Sequence, residues 1–490
     1  MRVNLNKILW QRKLPALKKT KMICTIGPSS DNVDVVDSLL KNGMNVCRIN
    51  FSHDDHTIHY NKLLRIREAV ARNPQFGNTA ILLDTKGPEI RTGFLSTPKI
   101  ELKAGNKIKL TSDYTVKGTP DLLALSYEHL YDSTFVGGKI LIADGNLGLE
   151  VIEKNAKDKT VTAKILNDFI LGEKKNVNLP GVKVNIPVIS RKDKIDLIDF
   201  GLTHDVDMVA LSFTRTANCV NMCKDVLGEK GKHIKIIPKI ENQEGLENLD
   251  EILKVSDGVM IARGDLGMEM DPSKLFLAQK YITQKARQHK KPVIVATQML
   301  ESMTKNARPT RAEITDVGQA VFDFNDCTML SGETGNGSFP QVSVQTMAEI
   351  CKEAEFHLDY ESEFNARFNI EDVSSHPDNP LAIAAVKLAF SSETECIICL
   401  SKDDALVREI SALRPNAFIF YPHSSERLLR GLQVHFGVVT VSVSDKTFAD
   451  NQSSIDAVKQ RIKALGMESA FKNVVLVNGN NNQISLQKFD

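Results

Sequence analysis

Eight short apolar runs recur along the chain, each followed directly by polar residues and separated from the next run by a longer connecting segment. The runs are KMICTIG, NVCRINFS, AILLDTK, DMVALSF, IIPKIEN, GVMIARGD, VIVATQ and CTMLSGE. Buried strands that alternate with helices are typical of β/α units with a parallel sheet. Eight such units predict an α/β fold, a closed (β/α)8 TIM barrel. In such a barrel the polar residues after the strands meet at one rim, where active sites are built.

The hydrophobic pattern changes between Gly87 and Pro187, where short runs of period two alternate with turns rich in Gly, Asn and Lys. This pattern predicts an all-β insertion domain after the third barrel strand. Beyond the barrel, the segment DVSSHPDNP is the expected linker to a separate C-terminal α/β open-sheet domain. The predicted domains are residues 1–87 (barrel, first part, with a short leader at 1–20), 88–187 (insertion), 188–356 (barrel, second part) and 357–490 (C-terminal domain).

Composition narrows the classes of partner. The 490-residue chain has a formal net charge of +1 and 25% charged residues, which argues against nucleic acid or an anionic membrane as the main partner. No apolar run approaches the length that spans a bilayer. Eight cysteines without disulfide-like spacing suit a reducing compartment. The basic N-terminus resembles a transit peptide only weakly, because it is not rich in serine, so we expect a cytoplasmic protein.

Lys239 and Glu241 end the fifth apolar run, and Asp265 follows the sixth. Because side chains alternate along a strand, Lys239 and Glu241 point to the same side if the run stays extended. Two carboxylates suit a hard divalent cation such as Mg²⁺, which takes its other ligands from water and substrate oxygens. The neighbouring ammonium can neutralise a phosphoryl group. The alternative is a surface ion pair between Lys239 and Glu241, with Asp265 as a turn residue.

Further polar residues complete a candidate site at the same rim: Arg48, Asn50, Ser52, Asp84, Arg91 and Thr297. Cations beside a carboxylate-held metal suit phosphoryl transfer, and the same set would suit an enolate. Dinucleotide, Walker-type and HExxH motifs are absent, which argues against those chemistries. Asn50 and Ser52 could instead cap the next helix. Arg91 could form a salt bridge at the hinge, and Thr297 could be an ordinary barrel residue.

Eight motifs occur in register along the chain: CTIGPSS, CRINFSH, LDTKGPEIRTG, KIENQEG, ARGDLG, ATQMLESM, RPTRAE and LSGET. With them the chain closely resembles the pyruvate kinase family, from about Lys21 to the C-terminus. One such match would carry little weight, whereas eight in order make the resemblance specific. It implies the transfer of the phosphoryl group of phosphoenolpyruvate to ADP, which gives ATP and pyruvate in the last step of glycolysis.

The resemblance also implies roles for the residues at the rim. Glu241 and Asp265 would hold the catalytic Mg²⁺ (or Mn²⁺), while Lys239 would stabilise the phosphoryl group and the developing enolate. Arg48 would contact phosphates. The substrate-binding residues it implies are Arg48, Lys239, Gly264, Asp265 and Thr297. Thr297 and Ser331 are both candidates for the proton path to the enolate, and the sequence does not choose between them.

Nucleotide and monovalent-cation sites follow from the same resemblance. The implied nucleotide-binding residues are Asn50, His53, Arg91 and Lys175. The implied K⁺ ligands are Asn50, Ser52, Asp84 and Thr85, the last through its backbone carbonyl. In the family, a glutamate at the position of Glu89 accompanies dependence on K⁺, so we expect K⁺ to be needed. The family usually has glycine after the lysine that corresponds to Lys175, whereas this chain has Asn176.

The chain departs from the family mainly in the C-terminal domain. The family's sugar-phosphate effector loop is usually rich in Ser, Thr and Gly, whereas here the strand IICL is followed by Ser401, Lys402, Asp403 and Asp404. Two carboxylates would repel a phosphate that such a loop receives through hydroxyls and amides. We therefore predict that fructose bisphosphate does not activate the enzyme through this loop.

Two alternatives to a kinase remain open on the sequence alone. A Mg²⁺-dependent lyase or aldolase could handle an enolate on a related barrel, although it would have no nucleotide for the insertion domain to contact. A catalytically silent sensor could keep only the fold, although the complete set of Lys239, Glu241 and Asp265 argues against it. For the kinase, the resemblance implies a homotetramer.

Overall fold

The computed structural model describes residues 15–367, 379–468 and 471–488. The predicted linker DVSSHPDNP lies outside the described residues except for its last two positions, as does most of the leader. The described chain forms a barrel, a lid inserted into the barrel, and a C-terminal sheet.

The strands are as follows in chain order. The barrel begins with β1 (Lys21–Thr25), β2 (Val46–Asn50) and β3 (Ala80–Asp84). The lid contains β4 (Ile90–Arg91), β5 (Lys99–Leu102), β6 (Lys107–Thr111), β7 (Leu122–Ala124), β8 (Lys139–Ile142), β9 (Leu147–Asn155), β10 (Thr160–Ile165), β11 (Phe169–Gly172) and β12 (Asn176–Asn178). The barrel resumes with β13 (Met208–Leu211), β14 (Lys235–Ile240), β15 (Val259–Ala262), β16 (Val293–Ala296) and β17 (Cys327–Leu330). The C-terminal sheet contains β18 (Cys396–Leu400), β19 (Phe418–His423), β20 (Val438–Ser442), β21 (Asn473–Asn478) and β22 (Gln483–Lys488).

The helices of the described residues surround these strands. They are α1 (Val33–Lys41), α2 (His56–Ala71), α3 (Leu130–Ser133), α4 (Arg191–Ile195), α5 (Ala217–Leu227), α6 (Gln243–Glu247), α7 (Leu249–Val255), α8 (Arg263–Glu269), α9 (Leu275–Gln288), α10 (Arg311–Phe322), α11 (Gly332–Gly335), α12 (Pro340–His357), α13 (Tyr360–Arg367), α14 (Pro380–Ser391), α15 (Ala405–Ala412), α16 (Glu426–Gly431), α17 (Asp445–Ala449) and α18 (Asn451–Ala464). Short 3₁₀ turns lie at Pro74–Phe76, Glu229–Gly231, Pro272–Lys274 and Glu301–Thr304. A π-helical segment, Asp196–Leu202, continues directly from α4.

The barrel closes by parallel pairing of strands in the order β1-β17-β16-β15-β14-β13-β3-β2. Fully buried apolar side chains such as Ile23, Leu82, Ile237 and Ile294 fill its interior. A second and larger core lies between the strands and the surrounding helices. The prediction of a (β/α)8 barrel is confirmed, and the residues that follow all eight strands lie at one rim.

The lid is a mainly antiparallel β structure with one short helix, and its strands β6 and β7 pair in parallel. Its main sheet has the order β4-β12-β8-β9-β10-β6-β7, and β11 pairs with β5 in a second sheet. Along β6, buried Ile108 and Leu110 alternate with exposed Lys107 and Lys109, the period-two pattern that predicted an all-β insertion. The chain leaves the barrel after β3 and returns to it at α4, so the lid is joined to the barrel by two linkers.

The C-terminal domain is an open sheet with the order β20-β19-β18-β21-β22, in which only β22 runs antiparallel to its neighbour. Helices α14 and α15 cover one face and α18 covers the other. This domain packs against the N-terminal end of the barrel, which we call the floor. There Arg414 pairs with Asp326 before β17, and Arg430 pairs with Asp207 before β13. Because the C-terminal domain covers the floor, the rim at the other end of the barrel stays open on the side of the lid.

Candidate active site

Lys239 and Glu241 lie at the C-terminal end of β14, and Asp265 lies in the first turn of α8, directly after β15. These strands are paired neighbours in the barrel, so both carboxylates lie at the same rim. The side chain of Glu241 is 1% exposed and that of Lys239 is 13% exposed. The alternative of a surface ion pair is therefore wrong, because Glu241 is buried and Lys239 is mostly buried.

The Lys239 ammonium is surrounded by oxygen atoms. Its Nζ lies 3.0 Å from Glu241 Oε1 and 3.1 Å from Asp84 Oδ1, and it donates to Ser212 Oγ at 2.9 Å. Arg48 Nε binds the other oxygen of Asp84 at 2.7 Å, so one carboxylate orients two cations. Burial lowers the pKa of Lys239, but the Asp84 and Glu241 carboxylates outweigh it and raise that pKa above its ordinary value. The ammonium is therefore charged at any physiological pH.

The two carboxylates Glu241 and Asp265 carry an electrostatic penalty. Burial raises the pKa of Glu241 to about 7; Lys239 opposes the shift and Asp265 adds to it. Burial also raises the pKa of Asp265. A cation that both carboxylates can bind removes the repulsion between two like charges in a dry site. In the described parts of the chain no group of three or more His, Cys, Asp or Glu residues could hold a metal. The two carboxylates alone fit an ion such as Mg²⁺, because such an ion takes its other ligands from water and substrate oxygens.

The backbone amide of Phe213 fixes the orientation of Glu241, donating to Oε2 at 2.5 Å. Phe213 has a φ of 53°, in the left-handed region that is strained for an aromatic residue. The preceding residue, Ser212, accepts from Lys239 and donates its hydroxyl to the Thr85 carbonyl at 2.7 Å. Neither residue was predicted from the sequence, although Ser212 directly follows the apolar part of the fourth run, MVAL.

Thr297 and Gln298, after β16, also have positive φ values of 76° and 56°. Arg263 holds the Thr297 carbonyl through Nη2 at 2.7 Å and Nε at 3.1 Å, and it pairs with Asp316 at 2.7 Å. A Cβ at Gly264 would lie only 2.9 Å from Thr297 Cγ2, so glycine is required there. Such a strained and closely held backbone is more typical of a functional loop than of an ordinary barrel residue.

Ser331 lies at the end of β17, the neighbour of β16 in the barrel. Its N–H donates to Glu333 Oε2 at 2.8 Å, while Glu333 Oε1 accepts the N–H of Leu300 at 2.9 Å. The buried Glu333 carboxylate thus joins the loops after β16 and β17. Both candidates for the proton path, Thr297 and Ser331, therefore follow adjacent strands.

The four residues implied for K⁺ lie at the ends of the neighbouring strands β2 and β3, where Asn50 is in register with Asp84. Asn50 Oδ1 accepts the N–H of Ser52 at 3.1 Å. The helix cap of α2 is Asp55, so the alternative that Asn50 or Ser52 caps that helix is wrong. The remaining donors, including the Thr85 carbonyl, are all oxygen atoms, which suit a hard cation.

The residues implied for the nucleotide lie on two sides of the cleft between the barrel rim and the lid. Arg91 and Lys175 come together on the lid, because β4 pairs with β12 and Arg91 Nη1 donates to the Lys174 carbonyl at 2.9 Å. Arg91 also binds Glu89, so the hinge salt bridge considered above is present. His53 lies on the barrel side, exposed in the loop after β2.

Two family profiles match the chain, one described as pyruvate kinase, barrel domain, over residues 17–344, and one described as pyruvate kinase, alpha/beta domain, over residues 379–486. A pyruvate kinase of Eimeria tenella is 47% identical over 462 residues, which cover 94% of this chain and 86% of the relative. The chain belongs to the pyruvate kinase family. Its activity is the transfer of the phosphoryl group of phosphoenolpyruvate to ADP, and the lyase and silent-sensor alternatives are wrong.

Other relatives agree with this assignment. A solved structure of a pyruvate kinase from Cryptosporidium parvum has a TM-score of 0.93 and 40% identity, with 100% of both chains covered. A cytosolic pyruvate kinase isozyme of Glycine max is 44% identical over 398 residues, covering 81% of this chain and 78% of the relative. Pyruvate kinases generally need Mg²⁺ and K⁺. Among the described residues no helix is both long and apolar enough to cross a membrane.

Proposed function

We propose that catalysis by this family member centres on Lys239, Glu241 and Asp265. The observation that supports this most strongly is the buried Lys239 ammonium, held 3.0 Å from Glu241 Oε1 and 3.1 Å from Asp84 Oδ1 at the rim. A preorganised charge in a dry site stabilises a developing anion far better than the same charge in water. Lys239 would face the phosphoryl group during transfer and the enolate oxygen afterwards.

Glu241 and Asp265 would hold the divalent cation, Mg²⁺ or Mn²⁺. Such an ion, when bound, withdraws charge from substrate oxygens and fixes their orientation. The chain's own part is to hold the two carboxylates in place. The Phe213 amide does this for Glu241, and the first turn of α8 does it for Asp265.

Arg48 and Lys239 would bind the phosphate as a pair. Both are anchored to the two oxygens of Asp84, at 2.7 Å and 3.1 Å. The Arg48 guanidinium presents planar donors to non-bridging oxygens, while the Lys239 ammonium acts as a compact charge. Because Asp84 fixes both cations before substrate binds, little reorganisation is needed during phosphoryl transfer.

Thr297 is the hydroxyl that we favour for protonating the enolate. A Cβ at Gly264 would lie 2.9 Å from its Cγ2, so Thr297 is next to the backbone of Gly264, which with that of Asp265 would bind the substrate. Arg263 holds its carbonyl. In the step proposed, the Thr297 O–H bond breaks, a C–H bond forms at the methylene carbon, and water returns a proton to the hydroxyl. Ser331 would take part only indirectly, from the neighbouring strand.

The lid, residues 88–187, would bring Arg91 and Lys175 to the nucleotide phosphates, opposite Asn50 and His53 on the barrel side. The oxygen donors of Asn50, Ser52, Asp84 and Thr85 would hold K⁺ beside the same phosphates. The salt bridge between Glu89 and Arg91 supports this arrangement, since it fixes a lid cation next to the hinge.

We further propose that the enzyme is a homotetramer in the cytosol. Helix α9 exposes Phe276, Leu277 and Tyr281 at 60%, 54% and 42%, an apolar patch of the kind that subunit interfaces cover. Strand β22 leaves one edge of its sheet open to pairing with a second copy. The plant relatives from Glycine max and Arabidopsis thaliana are named cytosolic isozymes.

The test is the substitution Lys239→Met in an assay that couples pyruvate formation to a signal, with ADP, Mg²⁺ and K⁺ each varied. Removing the ammonium should lower kcat at least about 1,000-fold, or about 4 kcal/mol. The matched control is Lys254→Met, which removes an exposed lysine of α7 and should leave kcat unchanged. Turnover by Lys239→Met within tenfold of the parent enzyme would contradict the proposal.

A further inference from the structure

A single buried carboxylate contacts both linkers between the barrel and the lid. Asp193, in α4, is 0% exposed. Its Oδ1 accepts the backbone N–H groups of Lys86 at 3.1 Å and Gly87 at 3.2 Å, on the outgoing linker. Its Oδ2 accepts the N–H of Ser190 at 2.9 Å and the Ser190 hydroxyl at 2.6 Å, on the returning linker.

This arrangement fixes the two linkers relative to each other. Hydrogen bonds to an ionised acceptor are stronger than those between neutral groups. All four donors lie around one rigid carboxylate group, so the two linkers move together or lose these bonds. An amide at this position would turn an N–H group toward existing N–H donors and leave buried polar groups unpaired.

The helical segment that carries Asp193 also holds the loop after β2. Lys192 Nζ donates to the Phe51 carbonyl at 2.9 Å and lies 2.6 Å from Asp196 Oδ2. His56 Nε2 lies 2.8 Å from Asp196 Oδ1. The same short segment therefore connects the lid hinge with the loop that follows Asn50 and carries His53.

The hinge also packs against the residue that fixes the metal-binding carboxylate. A Cβ at Gly87, where φ is +67°, would lie 2.8 Å from Phe213 Cδ2. Phe213 in turn donates its amide to Glu241. A displacement of Gly87 would thus press on the aromatic ring whose backbone orients Glu241.

We propose that Asp193 is a positioning residue for phosphoryl transfer: it holds the hinge of the lid at a fixed place relative to the nucleotide loop and Glu241. With the hinge fixed, Arg91 and Lys175 reach the nucleotide phosphates in register with the barrel side of the cleft. This inference rests on the proposed function of the lid in nucleotide binding.

The test is Asp193→Asn, with Asp199→Asn as matched control, because Asp199 is an exposed carboxylate of the following π-helical segment. We expect Asp193→Asn to raise KM for ADP about tenfold and lower kcat about tenfold, with KM for phosphoenolpyruvate within about twofold. Hydrogen exchange at the amides of Lys86 and Gly87 should accelerate at least about tenfold. The control should change none of these quantities.

A purely structural role predicts a different result. Asp193→Asn would then lower the melting temperature while the folded fraction kept the KM for ADP and the kcat of the parent enzyme, and that outcome would overturn the proposal. If Asp193→Asn does not fold, Ser190→Ala decides. It removes one of the four bonds to the carboxylate, together with the helix cap in which the Ser190 hydroxyl accepts the N–H of Asp193, and it keeps the carboxylate itself. A smaller rise in KM for ADP supports the proposal and an unchanged KM contradicts it.

Lys175→Ala separates this inference from the proposed function on which it rests. An unchanged KM for ADP in Lys175→Ala together with a raised one in Asp193→Asn would remove Lys175 from the nucleotide site and leave the hinge role standing. A raised KM for ADP in Lys175→Ala with no change in Asp193→Asn would keep Lys175 in the nucleotide site and overturn the hinge role of Asp193.

Discussion

The rim and the floor of this barrel both bury charge, but they balance it differently. At the floor, Arg414 and Asp326 form a one-to-one pair at 2.6 Å, with side chains 4% and 2% exposed. The second oxygen of Asp326 accepts the N–H of Phe436, and Arg414 also donates to the Phe324 carbonyl. Every strong donor and acceptor of this pair is thus satisfied within the protein.

At the rim, three carboxylates face two cations. Asp84 contacts both Lys239 and Arg48, Glu241 contacts Lys239, and burial raises the pKa of both Glu241 and Asp265. Burying charge is unfavourable unless it is fully compensated. The Arg414–Asp326 pair of the floor is compensated by the protein alone, whereas the rim has one carboxylate more than it has cations. The comparison teaches that a complete buried ion pair such as Arg414 and Asp326 needs no further partner, whereas a rim short of positive charge can accept a bound cation.

The largest effect on stability should come from breaking the complete pair. Arg414→Met leaves the buried Asp326 carboxylate without its cation, which should lower the free energy of unfolding by about 3 kcal/mol. The kcat of the folded fraction should not change, because the floor lies at the opposite end of the barrel. Unfolding in urea and steady-state kinetics measure the two quantities.

A double substitution is the control for this prediction. Asp326→Asn in addition to Arg414→Met removes the stranded charge, so part of the lost stability should return. If Arg414→Met lowers kcat while leaving stability unchanged, the distinction between a structural floor and a functional rim is wrong.

A smaller effect is expected on the pH dependence of the free energy of unfolding, because a buried histidine near the rim, His59, titrates. His59 is buried under the loop after β2, with Nε2 2.9 Å from the His53 carbonyl and Nδ1 without a hydrogen-bond partner among the described residues. Burial lowers the pKa of His59 to about 4, below the value of about 6.5 for an unfolded chain. The stabilisation is therefore present above pH 6.5 and is lost as the pH falls toward 4.

Between pH 7 and pH 5 this histidine should contribute a loss of about 1 kcal/mol, after allowance for screening by nearby solvent. His59→Gln keeps a donor for the His53 carbonyl but does not titrate, so its melting temperature should fall less over this range. His129→Gln, in the lid, is the control and should follow the parent protein. Equal pH slopes for His59→Gln and the parent would contradict the assignment.

The smallest effect is expected for fructose bisphosphate, which should change the rate at low phosphoenolpyruvate less than about twofold. In the loop after β18, the carboxylates of Asp403 and Asp404 bind groups that a phosphate would otherwise contact. Asp403 Oδ1 accepts the N–H of Ala405 at 2.9 Å, and Asp404 pairs with Arg408 at 3.0 Å. A phosphate would have to displace both against like charge. Strong activation by the sugar would contradict this prediction.

Much of the fold was predictable from the sequence because the eight barrel strands are short, apolar and each followed by polar residues. Lys239 and Glu241 were placed on one side because alternation along a strand is a local property. The double role of Asp84 was not predictable, since its contact with Lys239 joins strands 155 residues apart. Phe213 was missed for another reason: its function lies in a backbone amide, which no side-chain pattern reveals.

The central claim is that Glu241 and Asp265 together seat a divalent cation beside Lys239. The direct measurement is calorimetric titration of Mn²⁺ in the presence of phosphoenolpyruvate, for the parent enzyme and for Glu241→Gln. Glu247→Gln serves as control, since that exposed carboxylate lies on α6. We predict that Glu241→Gln weakens Mn²⁺ binding at least about 100-fold, or about 2.7 kcal/mol, and that the control does not. Equal affinity in Glu241→Gln and the parent enzyme would contradict the account.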